Sequence, residues 1–240
     1  MALWVGTSGY NYPEWKGNFY PEKISSAEML PYYAARFATV EINNTFYRMP
    51  NEKAVAGWSD ATPASFKLTL KAPKRITHDK RLQDCAETTQ RFLEVAATLG
   101  PKLGVLLFQL PPNMKKDLGR LDAFLETLPA GTRAAFEFRN PGWLVDEVYA
   151  RLKAKGLALC VADSEKLSTP VAITADYAYF RLRDEGYGPA DIKRWAKTVR
   201  DSTSGCSDVY VYFKHEDTGT GPEFGRLLLK ELGVAQPPGD

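Results

Sequence analysis

The 240-residue chain has only three cysteines and two histidines, so thiolate and imidazole chemistry have few candidates. Cys85, Cys160 and Cys206 are odd in number, widely spaced and without a C-x-x-C pair, which supports neither a disulfide framework nor a thiolate zinc site. They read as buried free thiols. No run of about 18 apolar residues occurs, so no membrane partner is expected. The first residues lack the basic then apolar pattern of a secretion signal, which makes the cytoplasm the expected location. Charge of one sign is also missing: 31 Lys and Arg face 29 Asp and Glu, leaving +2. No global field advertises nucleic acid, so any electrostatic function must be local. Gly219, Gly221 and Gly225 miss the dinucleotide spacing, and neither a G-x-x-x-x-G-K-[ST] loop nor a G-x-S-x-G elbow is present. No cofactor is evident.

What the chain does have is alternation. Eight β-rich runs fall near residues 2–6, 38–43, 66–71, 103–110, 133–139, 157–163, 178–183 and 208–214. Amphipathic helical patterns lie between most of them, near 26–37, 51–60, 82–99, 117–128, 144–155, 189–203 and 222–232. Gly100-Pro101, Pro129-Ala130-Gly131 and Gly156 mark helix ends. This is an α/β pattern whose count and length predict a single (β/α)8 TIM-type barrel over residues 1–240, with a degenerate sixth crossover helix and a frayed tail at 234–240.

In such a barrel, functional groups sit at the carboxyl ends of the strands, and residues i and i+2 share a face. If Phe66, Leu68 and Leu70 meet the helices, Lys67, Thr69 and Lys71 point inward. The same parity selects Glu41 and Asn43, Glu137 and Arg139, Arg181 and Arg183, and Tyr210, Tyr212 and Lys214. Gln109 and Asp163 close the fourth and sixth runs. The upper barrel then gathers Lys71, Arg139, Arg181, Arg183 and Lys214 beside Glu41, Glu137 and Asp163. Buried unpaired charge is costly, so these groups must pair, as Arg139–Glu137 and Arg181–Asp163 could, or face a charged ligand. Guanidinium forks suit phosphate and carboxylate, and the excess of cations predicts a small anionic ligand.

The loops after the seventh and eighth runs, Gly186-Tyr187-Gly188-Pro189 and Thr218-Gly219-Thr220-Gly221-Pro222, place glycine before proline at a helix start. They are equally candidates for phosphate capture through Gly186, Gly188, Gly219 and Gly221 and for ordinary tight turns. The loop after the first run carries Tyr10, Tyr12, Trp15, Phe19 and Tyr20, five aromatics in eleven residues. It is either a hydrophobic cap or a stacking wall for a flat ligand, with Tyr10, Tyr12 and Trp15 in that wall. His78 and His215 both follow strands on the same rim. A divalent metal on Glu41, Glu137 and Asp163 is an alternative that no motif supports.

These motifs have a family resemblance. Gly6-Thr7-Ser8-Gly9-Tyr10 with Tyr12, Trp15, Gly17 and Phe19-Tyr20-Pro21 resembles the opening of the YecE-like family, catalogued as domain of unknown function 72. The segment from Phe37 to Pro50, Lys71 with Ile76-Thr77-His78, Gln109-Leu110-Pro111-Pro112, and Glu137-Phe138-Arg139 with Trp143 resemble its later blocks. The resemblance implies a barrel and no settled reaction. Departures occur at Arg181-Leu182-Arg183-Asp184-Glu185-Gly186 and at Phe213-Lys214-His215, so no family role carries over to Arg183, Lys214 or His215.

The residues thus lead to an enzyme acting on a small phosphorylated or carboxylated substrate, with Glu41, Glu137 and Asp163 as acid/base candidates. Lys71, Gln109, Arg139, Arg181, Arg183, Lys214, Asn43 and His78 would bind the substrate. Two alternatives stand beside it. One is a nucleic-acid or nucleotide-like ligand-binding protein without turnover, for which segment 181–200 offers six Lys or Arg against three acids. The other is a metal-assisted phosphoester hydrolase. Substrate, reaction and oligomeric state are not encoded in any motif.

Overall fold

A computed structural model describes residues 1–215 and 219–234. In chain order the strands are β1 (Ala2–Thr7), β2 (Thr39–Ile42), β3 (Lys67–Lys71), β4 (Leu103–Gln109), β5 (Ala134–Glu137), β6 (Ala158–Ser164), the two-residue β7 (Leu167–Ser168), β8 (Tyr177–Leu182) and β9 (Asp208–Phe213). Hydrogen bonds link them in the order β1-β9-β8-β6-β5-β4-β3-β2, every neighbour parallel. The helices are α1 (Ser26–Ala34), the short α2 (Asn44–Tyr47), α3 (Glu52–Asp60), α4 (Ala86–Ala97), α5 (Leu118–Leu125), α6 (Asp146–Ala154), α7 (Pro189–Ser202) and α8 (Gly221–Glu231). This is the expected (β/α)8 barrel. Of the tail expected to fray, all but Val234 lies outside the described residues.

Local chemistry sets the helix ends. Asn51 accepts from the Ala54 amide at 2.9 Å and Asp117 from the Arg120 amide at 3.0 Å, satisfying amides that a first helical turn leaves open. Gly156, just past α6, holds φ +64°, which most side chains resist. Helices bury one stripe each. In α7 this is Ile192, Trp195, Ala196 and Val199, at helical spacing.

Between β6 and β8 no helix forms. The chain instead turns back, and β7 pairs antiparallel with β6 through Asp163 to Ser168 and Ser164 to Leu167. Thr174 Oγ1 then donates to the Leu157 carbonyl at 2.6 Å and accepts from the Leu159 amide at 2.8 Å, anchoring the return. This is the degenerate sixth crossover.

Two apolar cores follow from strand parity. Leu68, Leu70, Phe136, Phe138, Phe180 and Leu182 face the helices, whereas Val105, Leu107, Ala135, Cys160, Tyr179, Tyr210 and Tyr212 fill the barrel. Inside, the Tyr212 hydroxyl meets Thr39 Oγ1 at 2.7 Å and Thr69 Oγ1 at 2.8 Å. The amino-terminal end of the barrel is closed by Trp4, whose indole donates to Asp208 at 2.9 Å and stacks on Tyr210.

The wall closes between β1 and β2 without a ladder. Ser8 and Glu41 form an isolated bridge at the top, where the Gly9 amide donates to the Glu41 carbonyl at 2.8 Å. Lower down, the Tyr33 hydroxyl of α1 spans the seam, accepting from the Thr7 amide at 2.8 Å and donating to the Thr39 carbonyl at 3.1 Å. Gly6 is required here, because a Cβ would lie 2.2 Å from the Thr39 carbonyl oxygen.

Candidate functional site

The carboxyl end of the barrel is organised around Arg181. Its side chain, 0% exposed, projects inward from β8. Nε donates to both Glu41 oxygens at 3.1 and 2.9 Å, one terminal nitrogen to Glu41 at 2.7 Å and Ser8 Oγ at 3.0 Å, and the other to Glu137 at 2.8 Å. Glu41 is likewise 0% exposed and also accepts from Ser8 Oγ and the Tyr179 hydroxyl, both at 2.5 Å. Asn43 donates to Ser8 Oγ at 2.8 Å. Each Arg181 donor group therefore has a partner within the protein.

Electrostatics follow from this arrangement. Burial pushes the Glu41 and Glu137 carboxyls up, yet Arg181 together with the hydrogen-bond donors at Glu41 and the other cations at Glu137 holds both below the ordinary carboxylate range. Arg139, Lys71 and Arg183 add to the effect at Glu137. Burial, with Glu41 next in weight, drives the Tyr179 hydroxyl well above the usual phenol range. Both carboxylates are fixed anions and Tyr179 a fixed donor. A carboxylate held that low is a weak base at neutral pH.

Further cations surround the triad. Arg139 Nε donates to Glu137 at 2.8 Å, as its spacing suggested, while Arg183 reaches Glu137 only at 3.9 Å and keeps a buried Nε without a partner. Burial and then Arg139 disfavour the charge on Arg183. Lys71 lies with its Nζ 4.2 Å over the Phe46 ring. Arg139, Arg181 and Arg183 thus share two carboxylates, Glu41 and Glu137, and Lys71 stands beside them outside ion-pair distance.

In place of the expected Arg181–Asp163 pair, Asp163 accepts from the Tyr187 hydroxyl at 2.5 Å. The reason is register: Ala162, opposite Arg181, points into the barrel, and Asp163, opposite Leu182, takes the other face. Among the described residues, no group of three or more His, Cys, Asp or Glu is disposed to hold a metal ion.

Two clefts open at this end. The first, of about 210 Å³, is lined by Gly9, Tyr10, Asn11, Tyr12, Asn43, Asn44, Tyr47, Lys71 and Lys214. The second, of about 290 Å³, is lined by Glu137, Arg139, Arg183, Ser164, Lys166 and Thr169, the last three supplied by β6 and the β7 return. Gln109, on β4 opposite Glu137, is buried with its carbonyl oxygen unpartnered. The side-chain Oδ1 of Asn43 is also unpartnered.

The aromatic loop divides its duties. Trp15, Phe19 and Tyr20 are buried against one another, with Phe19 and Tyr20 against α1, in the helix-facing core, whereas Tyr10 and Tyr12 reach the first cleft. Tyr47, 76% exposed, completes that wall, a position that only its placement after the second strand hinted at. Ser8, Tyr179 and Asn11 were also missed: a serine, a tyrosine and an asparagine carry no charge pattern to announce them.

The remaining candidates are held by the protein itself. His78 sits in a π-helical turn (Arg75–Asp79), bonded to Thr77 at 2.8 Å and edge-on to Phe46, and burial followed by Lys71 lowers its pKa. His215 is buried, with Nε2 2.8 Å from the Asp184 carbonyl. The Gly186 and Gly188 amides donate to Asp184 and Asp191 at 2.8 Å each. Gly219 packs on Trp15 and Asn18, and Gly221 on His215 and Thr7; Thr218 lies outside the described residues.

Comparison with known proteins adds a family match. The family described as "Protein of unknown function DUF72" matches residues 4–239. The UPF0759 protein YunF of Bacillus subtilis (strain 168) is 23% identical over 271 residues, covering 97% of this chain and 95% of its own. The UPF0759 protein YecE of Escherichia coli (strain K12) is 30% identical over 140 residues, 58% of this chain and 49% of its own. A crystal structure of a DUF72 family protein from Thermotoga maritima MSB8 superposes with a TM-score of 0.83 at 28% identity, covering 97% of this chain and 99% of that one.

Proposed function

The chain belongs to the DUF72 family of proteins of unknown function, and we propose that it is an enzyme that binds a small phosphorylated or carboxylated molecule at the carboxyl end of its barrel. One observation carries this reading: three arginines share two carboxylates there, with Lys71 beside them, and two of the three, Arg139 and Arg183, border an open cleft. An anion entering that cleft supplies the acceptor that Arg183 Nε lacks and relieves the mutual repulsion of the two guanidiniums. Arg181 is not its ligand. Saturated and buried, Arg181 positions Glu41 and Glu137, which in turn orient the rim cations. Tyr10, Tyr12 and Tyr47 line the first cleft at the same end of the barrel, where the rest of the molecule would lie. Proton transfer falls to Lys71, whose pKa is brought down to about 7 by burial and then by Arg181.

The test is calorimetric titration with inorganic phosphate and a small phosphomonoester. Arg139→Ala and Arg183→Ala should each weaken binding by about 10-fold or more, as expected for a lost charged hydrogen bond, with the fold retained. Unchanged affinity in both variants refutes the reading.

A second reading, binding of an extended polyanion such as a nucleic acid, draws on one further feature. A groove of about 570 Å³ shares Tyr47 with the first cleft and is lined by Arg48, Lys74, Arg75 and Arg91 against Asp79 and Glu87. Several phosphate contacts of that kind give a steep loss of affinity with salt, whereas a single small anion gives a shallow one.

A further inference from the structure

Lys71 is a cation at the mouth that makes no ion pair among the described residues. It ends β3, with its backbone pinned by Thr45 Oγ1, which donates to the Lys71 carbonyl at 2.5 Å. Its side chain is only 8% exposed and lies on the Phe46 ring, which meets His78 edge-on from the other segment bordering it. Among the described residues, no carboxylate lies within ion-pair distance of its Nζ. A lysine kept for its charge is better placed beside an acid or in water. This one is set where water is scarce, opening on a cleft lined by Asn11, Asn43, Asn44, Lys214 and three tyrosines.

Resting on the reading of the mouth as an anion site, we propose that Lys71 Nζ condenses with the carbonyl carbon of a small aldehyde or ketone bearing a phosphate or carboxylate, forming an imine in the first cleft. The neutral amine adds its lone pair to the carbonyl carbon, the π pair moves to oxygen, and that oxygen gains a proton as the nitrogen gives one up. The carbinolamine then takes a proton on its hydroxyl and loses it as water, leaving a protonated imine. The net change is amine plus carbonyl plus one proton to iminium plus water, with no oxidant or reductant. Desolvation and neighbouring cations are the two devices that make a lysine amine nucleophilic near neutral pH, and both are present. Arg181 and Arg139 favour the neutral form, while Glu137 and Glu41, already shared among arginines, oppose it.

The test is reductive trapping of the full-length protein with dihydroxyacetone phosphate in one arm and pyruvate in the other, each followed by borohydride. Imine formation loses water and reduction adds two hydrogens, so the protein gains the mass of the probe less one oxygen. Peptide mapping of the wild-type protein should place the adduct on Lys71, and Lys71→Met should abolish it. Trapping rate against pH should have its midpoint near 7, as the Lys71 environment dictates, well below the range of a surface lysine. The arm that reacts faster identifies phosphate or carboxylate as the preferred anion. Adducts spread over surface lysines, or a midpoint near that of an ordinary lysine, overturn the proposal. If phosphate binds but neither probe is trapped, the proposal fails alone. If phosphate does not bind either, the anion-site reading fails with it.

Discussion

Replacing Arg181 with Met should be the most damaging single substitution at the mouth. The guanidinium is wholly buried and is the shared partner of two buried carboxylates, so its removal strands both. Breaking a buried ion pair by deleting one partner costs about 3–5 kcal/mol, against a total stability of about 5–15 kcal/mol for a domain. For a chain of this size the loss corresponds to a fall in Tm of about 6–20 °C. The pH dependence gives the sharper test. In the native protein the two carboxyls are held below their unfolded pKa, so they contribute stability above that value, and it fades as pH falls. In the variant, burial acts without its chief opponent and moves both pKa values upward, against what Arg139, Lys71, Arg183, Ser8 and Tyr179 still contribute. The resulting penalty is greatest at neutral pH and lifts as acid protonates them. Urea denaturation should therefore show a wide gap between the two proteins at about pH 7 that narrows toward about pH 4. Adding Glu41→Gln and Glu137→Gln to the Met variant should recover much of the loss at neutral pH. A deficit under about 1 kcal/mol, or one that does not change with pH, refutes the reasoning.

Two predictions concern the β1–β2 seam. Gly6→Ala drives a Cβ into the Thr39 carbonyl and the Tyr33 hydroxyl, and should cost about 1–3 kcal/mol in denaturant titrations; an unaltered midpoint would show that the seam yields freely. Tyr33→Phe removes the hydroxyl between the Thr7 amide and the Thr39 carbonyl, and should cost about 1–3 kcal/mol while speeding hydrogen exchange at Thr7. Exchange at the native rate would mean that another group satisfies that amide.

Much of this architecture was legible because a barrel wall obeys a period of two. Phe66-Lys67-Leu68-Thr69-Leu70-Lys71 sorts its apolar and polar members cleanly, and the structure sends them to opposite faces. Asp163 also keeps the rule: Leu157, Leu159 and Val161 face the helices while Ala158, Cys160 and Ala162 face the barrel, so parity sends Asp163 outward, and its expected place at the mouth followed only from its position at a strand end. The pairing of Arg181 was not legible at all. Its partners come from β2 and β5, neither of them a neighbour of β8 in the sheet, and which carboxylate meets which arginine across a barrel depends on shear rather than on spacing. Nor could sequence separate Trp15 from Tyr12. Both belong to one aromatic loop, and only packing decides that the first plugs the core while the second edges the cleft.

The triad also explains how a barrel with an unladdered seam keeps its mouth in shape. Ser8 follows β1, Glu41 belongs to β2, Arg181 to β8 and Glu137 to β5, so a single guanidinium ties together strands on both sides of the gap. Tyr33 bridges the lower seam with one hydroxyl, and the charged cluster bridges the top. This tie has an electrostatic consequence. Because Arg181 already occupies both carboxylates, every further cation on the rim meets anions whose charge is largely spent. Lys71 and Arg183 are left with burial first, and then repulsion from neighbouring arginines, acting against their charge, the first on an aromatic ring and the second with an empty Nε. Such repulsion favours release of a proton by Lys71 and capture of an anion by Arg183. The group that holds the strands together thereby sets the reactivity of the groups around it, which is why the Arg181 and Lys71 experiments probe the same field from opposite sides.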